Sequence, residues 1–164
     1  GSHLAEQGRK RIAFLGDASD HYPEFQERWR GYTQALREAG LEPEPALQVD
    51  AITTELSGHE AATTLLQRDQ PFDAVFAASD LIALGAMRAL REHGLRIPQD
   101  VAVVGFDDIP AAASAVPPLS TVQQDTKLAG TLLVESLIAR INGEPGQNRT
   151  IPARLVIRGS SVAS

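Results

Sequence analysis

The chain has 164 residues, 43% of them hydrophobic and 22% charged, with no cysteine and a formal net charge of −6. That length and apolar content can bury a substantial core, most simply as one domain or one domain with an appendage. The charge argues against a chain that grips a phosphate backbone by itself. The missing cysteines leave no disulfide framework and, with no two histidines at ligand spacing, no usual sign of a zinc site. No apolar stretch approaches the length of a membrane span, and no signal peptide is visible.

Gly1-Ser2-His3 reads as a vector-derived protease scar, and Arg9-Lys10-Arg11 as a solvated lead-in. Ile12 to Leu15 is a short apolar strand ending at Gly16-Asp17. Phe25, Trp29, Tyr32, Leu36 and Ala39 then recur at helical spacing, predicting an amphipathic helix from about Glu24 that Gly40 ends. In that stripe Phe25 and Trp29 read as core. Leu47 to Val49 is a weak strand, Leu56 to about Gln67 a helix, and Ala74 to Ala77 a third strand. Asp80 is placed to cap a helix running to Gly94, and Val101 to Phe106 is a β-branched run suited to a strand buried on both faces. The Pro117-Pro118 step predicts an extended passage, followed by a helix over about 126–141 and an alternating strand over 153–158. Strands alternating with helices predict an α/β fold, a doubly wound parallel sheet with flanking helices.

Chemistry gathers where strands end. Asp17, Asp80, Asp107 and Asp108 all fall at or just beyond predicted carboxyl ends, where open α/β sheets collect their ligands. Such a cluster can hold Mg²⁺, serve as general acid and base, or accept hydrogen bonds from a polyhydroxylated molecule. The sequence has no Walker loop, no Gly-x-Gly-x-x-Gly after the first strand and no nucleophile paired with a base, so nucleotide binding and catalysis have little support. Arg28 lies at the edge of the buried face in the first turns of its helix. It can fork onto two ligand oxygens or pair with Glu24 at i,i+4. Ser79 and Asp80 have the plainer use of a helix cap. Gly31 in mid-helix costs about 1 kcal/mol against Ala, which suggests a tight packing need.

Four stretches, Ser79–Leu90 (SDLIALGAMRAL), Val101–Ile109 (VAVVGFDDI), Pro117–Asp125 (PPLSTVQQD) and Leu155–Ser161 (LVIRGSS), resemble the lactose-repressor (LacI/GalR) family of transcriptional regulators in order and spacing. The resemblance implies one lobe, the carboxyl-terminal one, of a periplasmic-binding-protein-like effector domain. On that likeness residues 1–8 are scar and lead-in, 9–122 form the lobe, 123–152 are a crossing segment and a helix that normally belongs to the first lobe, and 153–164 return to the carboxyl-terminal lobe. The Arg28-x-x-Gly31-Tyr32 pattern matches the family motif whose arginine contacts the effector. Asp107 matches its acceptor aspartate, and Ser79 and Gln124 match pocket positions. Tyr22, Glu24 and Thr53 fall in loops lining the cleft, while the loop around Thr53 lacks the aromatic that some members stack on a sugar.

The helix from Leu81 carries more apolar surface than one sheet face can use. It is either covered by its own domain or, as the resemblance implies, shared with the segment near Ala115 in a homodimer interface, with Leu81, Leu84 and Ala115 facing the partner. The implied function is that of a cytoplasmic, non-enzymatic regulator. A small polar, sugar-like or nucleoside-like effector controls operator DNA binding by a headpiece outside this stretch, with no cofactor and no membrane. Two other readings share the features: a periplasmic-type sugar receptor, and a metal-dependent phosphatase or phospho-receiver built on the acidic strand ends.

Overall fold

A computed structural model describes residues 11–17, 23–124 and 153–161. The elements are β1 (Ile12–Leu15), α1 (Pro23–Glu38), a 3₁₀ turn (Pro45–Leu47), β2 (Gln48–Val49), α2 (Glu55–Gln67), β3 (Ala74–Ala77), α3 (Asp80–Glu92), β4 (Ala102–Phe106), α4 (Pro110–Ser114), β5 (Ser120–Gln124) and β6 (Ala153–Val156). The helix expected over 126–141 lies outside the described residues. The six strands form one sheet in the order β2-β1-β3-β4-β5-β6. The first five are parallel, and β6 runs antiparallel to β5.

β1, β3 and β4 are buried along their whole length, as continuous apolar runs in a parallel sheet covered on both faces should be. The registers Phe14 to Phe76 and Phe76 to Val104 put these side chains on one face of the sheet. That face meets α1. Phe14 lies edge-on to Trp29 with ring centres 5.2 Å apart, and Tyr32 lies 5.2 Å from Phe14 and 6.3 Å from Phe76. Phe25, Tyr32 and Leu36 are buried and Trp29 packs against the same cluster, so both aromatics read as core are core. The Tyr32 hydroxyl donates to the Ile12 carbonyl, and its burial pushes the phenol well above its ordinary pKa, with the Glu44 charge adding to the effect. The opposite face, which includes Gly105, meets α3.

α2 and α3 pack backbone to backbone. A Cβ on Gly58 would stand 2.1 Å from the Ile82 carbonyl oxygen, and one on Gly85 would stand 1.9 Å from that of Glu55. His59 Nε2 and Glu92 Oε2, 2.7 Å apart, join the same two helices.

Three expectations need correction and one, the extended passage, is made more specific. Ser79, not Asp80, caps α3: its side chain accepts from the Ile82 amide at 3.2 Å, while the Asp80 carboxylate turns inward. Ala39 is exposed, because Gly40, at φ 78°, already turns the chain out of the helix and the Leu41 amide bonds back to Leu36. The passage after Pro118 is a strand, β5, whose polar face hid it. Ser120 and Thr121 are fully buried, with Ser120 held by the Arg158 backbone and by Ser161. Gly31 answers no packing need, since a Cβ there meets nothing within 4 Å and its φ is not positive. Gly31→Ala should therefore stabilise the fold by about 0.5–1 kcal/mol, the usual helix-interior difference. Urea denaturation with an unchanged slope is the check.

Candidate effector site

The loops after β1, β2, β3 and β4 all leave the sheet at its carboxyl end, because these strands are parallel. β4 stops at Phe106, and the next two residues take left-handed backbone conformations, Asp107 at φ 112° and Asp108 at φ 58°. Such conformations are costly for residues with a Cβ and persist only where neighbours over-determine them. Here the Asp107 amide donates to the Val122 carbonyl at 2.8 Å, the Asp108 amide to Thr121 Oγ1 at 3.2 Å and the Ile109 amide to Asp80 Oδ2 at 2.8 Å. Pro110 follows and opens α4, a position that needs no amide donor.

The consequence is that consecutive carboxylates have different partners. Asp107 meets Arg28, whose Nη2 donates to Oδ1 at 3.1 Å, while Nη1 donates to the Ala78 carbonyl. The guanidinium lies over the Phe106 ring, 4.1 Å from its centre, and 5.7 Å from that of Phe25. A planar cation on an aromatic face is held by the ring quadrupole as well as by its hydrogen bonds. The Arg28 side chain is 11% exposed and that of Asp107 is 42% exposed. The arginine is thus fixed from below, and the aspartate presents its outer side to solvent.

Asp108 is engaged elsewhere. Arg158, just past β6, donates through Nη1 to its Oδ1 and to the Leu119 carbonyl, both at 2.9 Å, and Gln123 reaches its Oδ2 at 3.4 Å. With both charged side chains about one-fifth exposed, this pair joins the returning chain to the site loop. Truncating one member of a fully buried pair costs about 3–5 kcal/mol, and partial solvation reduces that. Arg158→Met should cost about 2 kcal/mol in chemical denaturation, and Asp108→Asn less, because the amide keeps an oxygen that can accept from Arg158, whose charge also retains the Leu119 carbonyl.

Asp80 is 1% exposed. Its Oδ1 accepts from the Thr121 hydroxyl at 2.7 Å and its Oδ2 from Ile109. Burial pushes its carboxyl up from the ordinary value, helped by the nearby Asp108 charge and opposed by these hydrogen bonds. The acidic strand ends therefore do not converge on one point. Asp80 faces a hydroxyl and an amide, Asp107 faces Arg28, and Asp108 faces Arg158. Among the described residues no group of three or more His, Cys, Asp or Glu is placed to hold a metal ion.

The remaining sequence candidates scatter around this centre. Thr53 is exposed in the loop between β2 and α2. Ser79 is 1% exposed, with its oxygen committed to the α3 cap. Gln124 is the last residue of β5, paired in register with Ala153, and Glu24 lies in the first turn of α1. The side chains of Glu24 and Gln124, and all of Tyr22, lie outside the described residues. Leu81, Leu84 and Ala115 are half-buried. Arg91 donates to the Val116 carbonyl, which sets the 115–116 segment beside α3, and Val116 is 77% exposed. Sequence reasoning gave Arg158 no role. Its partner stands 50 positions away, beyond any local pattern.

The described fold carries its polar groups on a carboxyl-terminal rim, and residues 2–161 match the model of the periplasmic binding protein-like domain. The chain belongs to that family, in its lactose-repressor branch. It is 44% identical over 154 residues to the helix-turn-helix transcriptional regulator CelR of Thermobifida fusca, covering 94% of this chain and 44% of that protein. It is 34% identical over 164 residues to the repressor CytR of Escherichia coli K12, covering 99% and 48%. Among solved structures it matches a CelR–cellobiose complex at 40% identity and TM-score 0.80, covering 98% of this chain and 49% of the other. It also matches the lac repressor dimer bound to operator and the anti-inducer ONPF at 32% and 0.80, covering 98% and 56%. The chain spans about half the length of the curated relatives it matches. Among its described residues no helix is long and apolar enough to cross a membrane.

Proposed function

We propose that this chain is the carboxyl-terminal effector lobe of a cytoplasmic regulator of the lactose-repressor type, which takes a small polyhydroxylated molecule of the sugar class and has no catalytic role. The observation that carries the reading is the Arg28–Asp107 pair at the carboxyl rim of the sheet. It sets an immobilised forked donor beside a half-exposed acceptor, so a molecule with neighbouring hydroxyls can accept from one and donate to the other. The relatives support it: CelR has been solved with cellobiose, and the matched proteins are regulators rather than receptors. Thr53, Glu24, Tyr22, Ser79 and Gln124 complete the wall in this reading, with Ser79 secondary because its oxygen already caps a helix.

Effector binding must change the protein's preference between two states if it is to change DNA affinity. The lobe supplies one wall of the cleft, and operator DNA is read by a separate headpiece of the intact protein. Leu81, Leu84 and Ala115 form the homodimer face, and Val116 extends its apolar surface. Leu84→Glu should turn a dimer into a monomer in sedimentation velocity without lowering helicity. The central test is operator binding by the intact regulator, measured against a set of mono- and disaccharides. A saturable change in operator affinity with one of them is expected, and no change with any would end the sugar reading.

A further inference from the structure

We propose that Asp80 is the positioning residue of this site, the side chain that holds Asp107 at the angle from which it faces Arg28. The proposal rests on the effector reading only for its consequence, since the geometry stands without a ligand. A nearly fully buried carboxylate is normally matched by a cation, because removing a charge from water is costly. Here the partners of Asp80 are a hydroxyl and an amide, both belonging to the loop that follows β4 or to the strand that supports it. One oxygen takes the Ile109 amide directly, and the other takes the Thr121 hydroxyl, whose oxygen in turn takes the Asp108 amide.

Those two amides follow Asp107 immediately, and they belong to the segment whose left-handed φ values need outside support. β4 itself makes room for the carboxylate. A Cβ on Gly105 would stand 2.2 Å from Asp80 Oδ1, so glycine at that one position of a strand otherwise filled by larger residues admits it. Without the Asp80 anchor the loop can relax toward ordinary φ, and the Asp107 carboxylate then swings away from the guanidinium, whose Nη2 donates to its Oδ1 at 3.1 Å. Asp80 touches no effector in this scheme and acts through Asp107.

The test uses this chain without ligand and reads the Arg28 guanidinium protons by NMR hydrogen exchange. Thr121→Val and Asp80→Asn should each speed that exchange at least tenfold. Gly105→Ala, which displaces Asp80 without altering it, should do the same, and Thr121→Ser should restore the wild-type rate. Leu90→Val, a core change remote from the loop, is the comparison for general loosening, and any folded variant of the first three suffices. Unchanged Arg28 exchange in Thr121→Val and Asp80→Asn, or an equal effect from Leu90→Val, overturns the proposal. Sugar binding is read separately, on the intact regulator carrying the same substitutions and with the sugar that shifts the operator affinity of the wild type. A freed Arg28 with unaltered binding of that sugar supports the positioning role and counts instead against the Arg28–Asp107 pair as the effector contact.

Discussion

Gly85→Ala should lower the stability of the fold by about 3 kcal/mol or more, the upper end of what overpacking costs. The added methyl would lie 1.9 Å from the Glu55 carbonyl oxygen and 2.6 Å from the His59 nitrogen, both backbone atoms of α2. Ordinary contact needs roughly 3.5 Å, and no rotamer change can provide it when the obstacle is main chain. α2 and α3 must therefore separate, which also pulls the 2.7 Å contact between His59 and Glu92 apart and opens the cluster of Ala62, Leu65, Ile82 and Ala86 to void or water. The gain of about 1 kcal/mol in helix propensity does not offset this. For a domain of this size the melting temperature should fall by about 10 °C, at 2–4 °C per kcal/mol. Gly31→Ala, the same chemical change on an open helix face, should raise it. Opposite signs for two identical substitutions test the helix packing directly, and equal signs would show that α2 and α3 do not meet at these glycines.

The contrast between those glycines also marks what sequence reasoning can reach. β1, β3 and β4 announce themselves because both their faces are buried, so every residue is apolar or small. β5 lies inside the sheet too, but its buried residues Ser120 and Thr121 are polar, satisfied by partners about 40 positions away, so the Pro117-Pro118 step predicts only an extended passage and not its pairing in the sheet. Arg28 and Asp107 could be brought together in advance, since the rim of a parallel sheet and the first turns of the following helix lie at the same end. A cap and an inward clamp look alike when Ser and Asp are adjacent, so the sequence allows Asp80 either role; burial decides between them, and burial is a tertiary property. The roles of Arg158 and Gly58 depend on what lies opposite, and no periodicity encodes that.

Arg28→Lys should weaken effector binding by about 100-fold while costing the fold only about 1 kcal/mol. A 100-fold loss is about 2.7 kcal/mol, which one charge-assisted hydrogen bond lost from the bound state accounts for, at about 1.5–3 kcal/mol. The guanidinium presents separate nitrogens to Ala78 and Asp107 and keeps a flat face on Phe106. An ammonium is one point. If it stays near the Ala78 carbonyl it gives up Asp107, and if it follows Asp107 it abandons the carbonyl and the ring, so the acceptor we propose for the effector is no longer aimed. Charge is conserved in the exchange, which separates geometry from electrostatic steering: the association rate should change little and the dissociation rate should carry the loss. Stopped-flow binding to the intact regulator distinguishes the two. Wild-type affinity in Arg28→Lys would show that the arginine merely supports the loop, and a loss confined to association would show that its charge attracts the ligand without touching it.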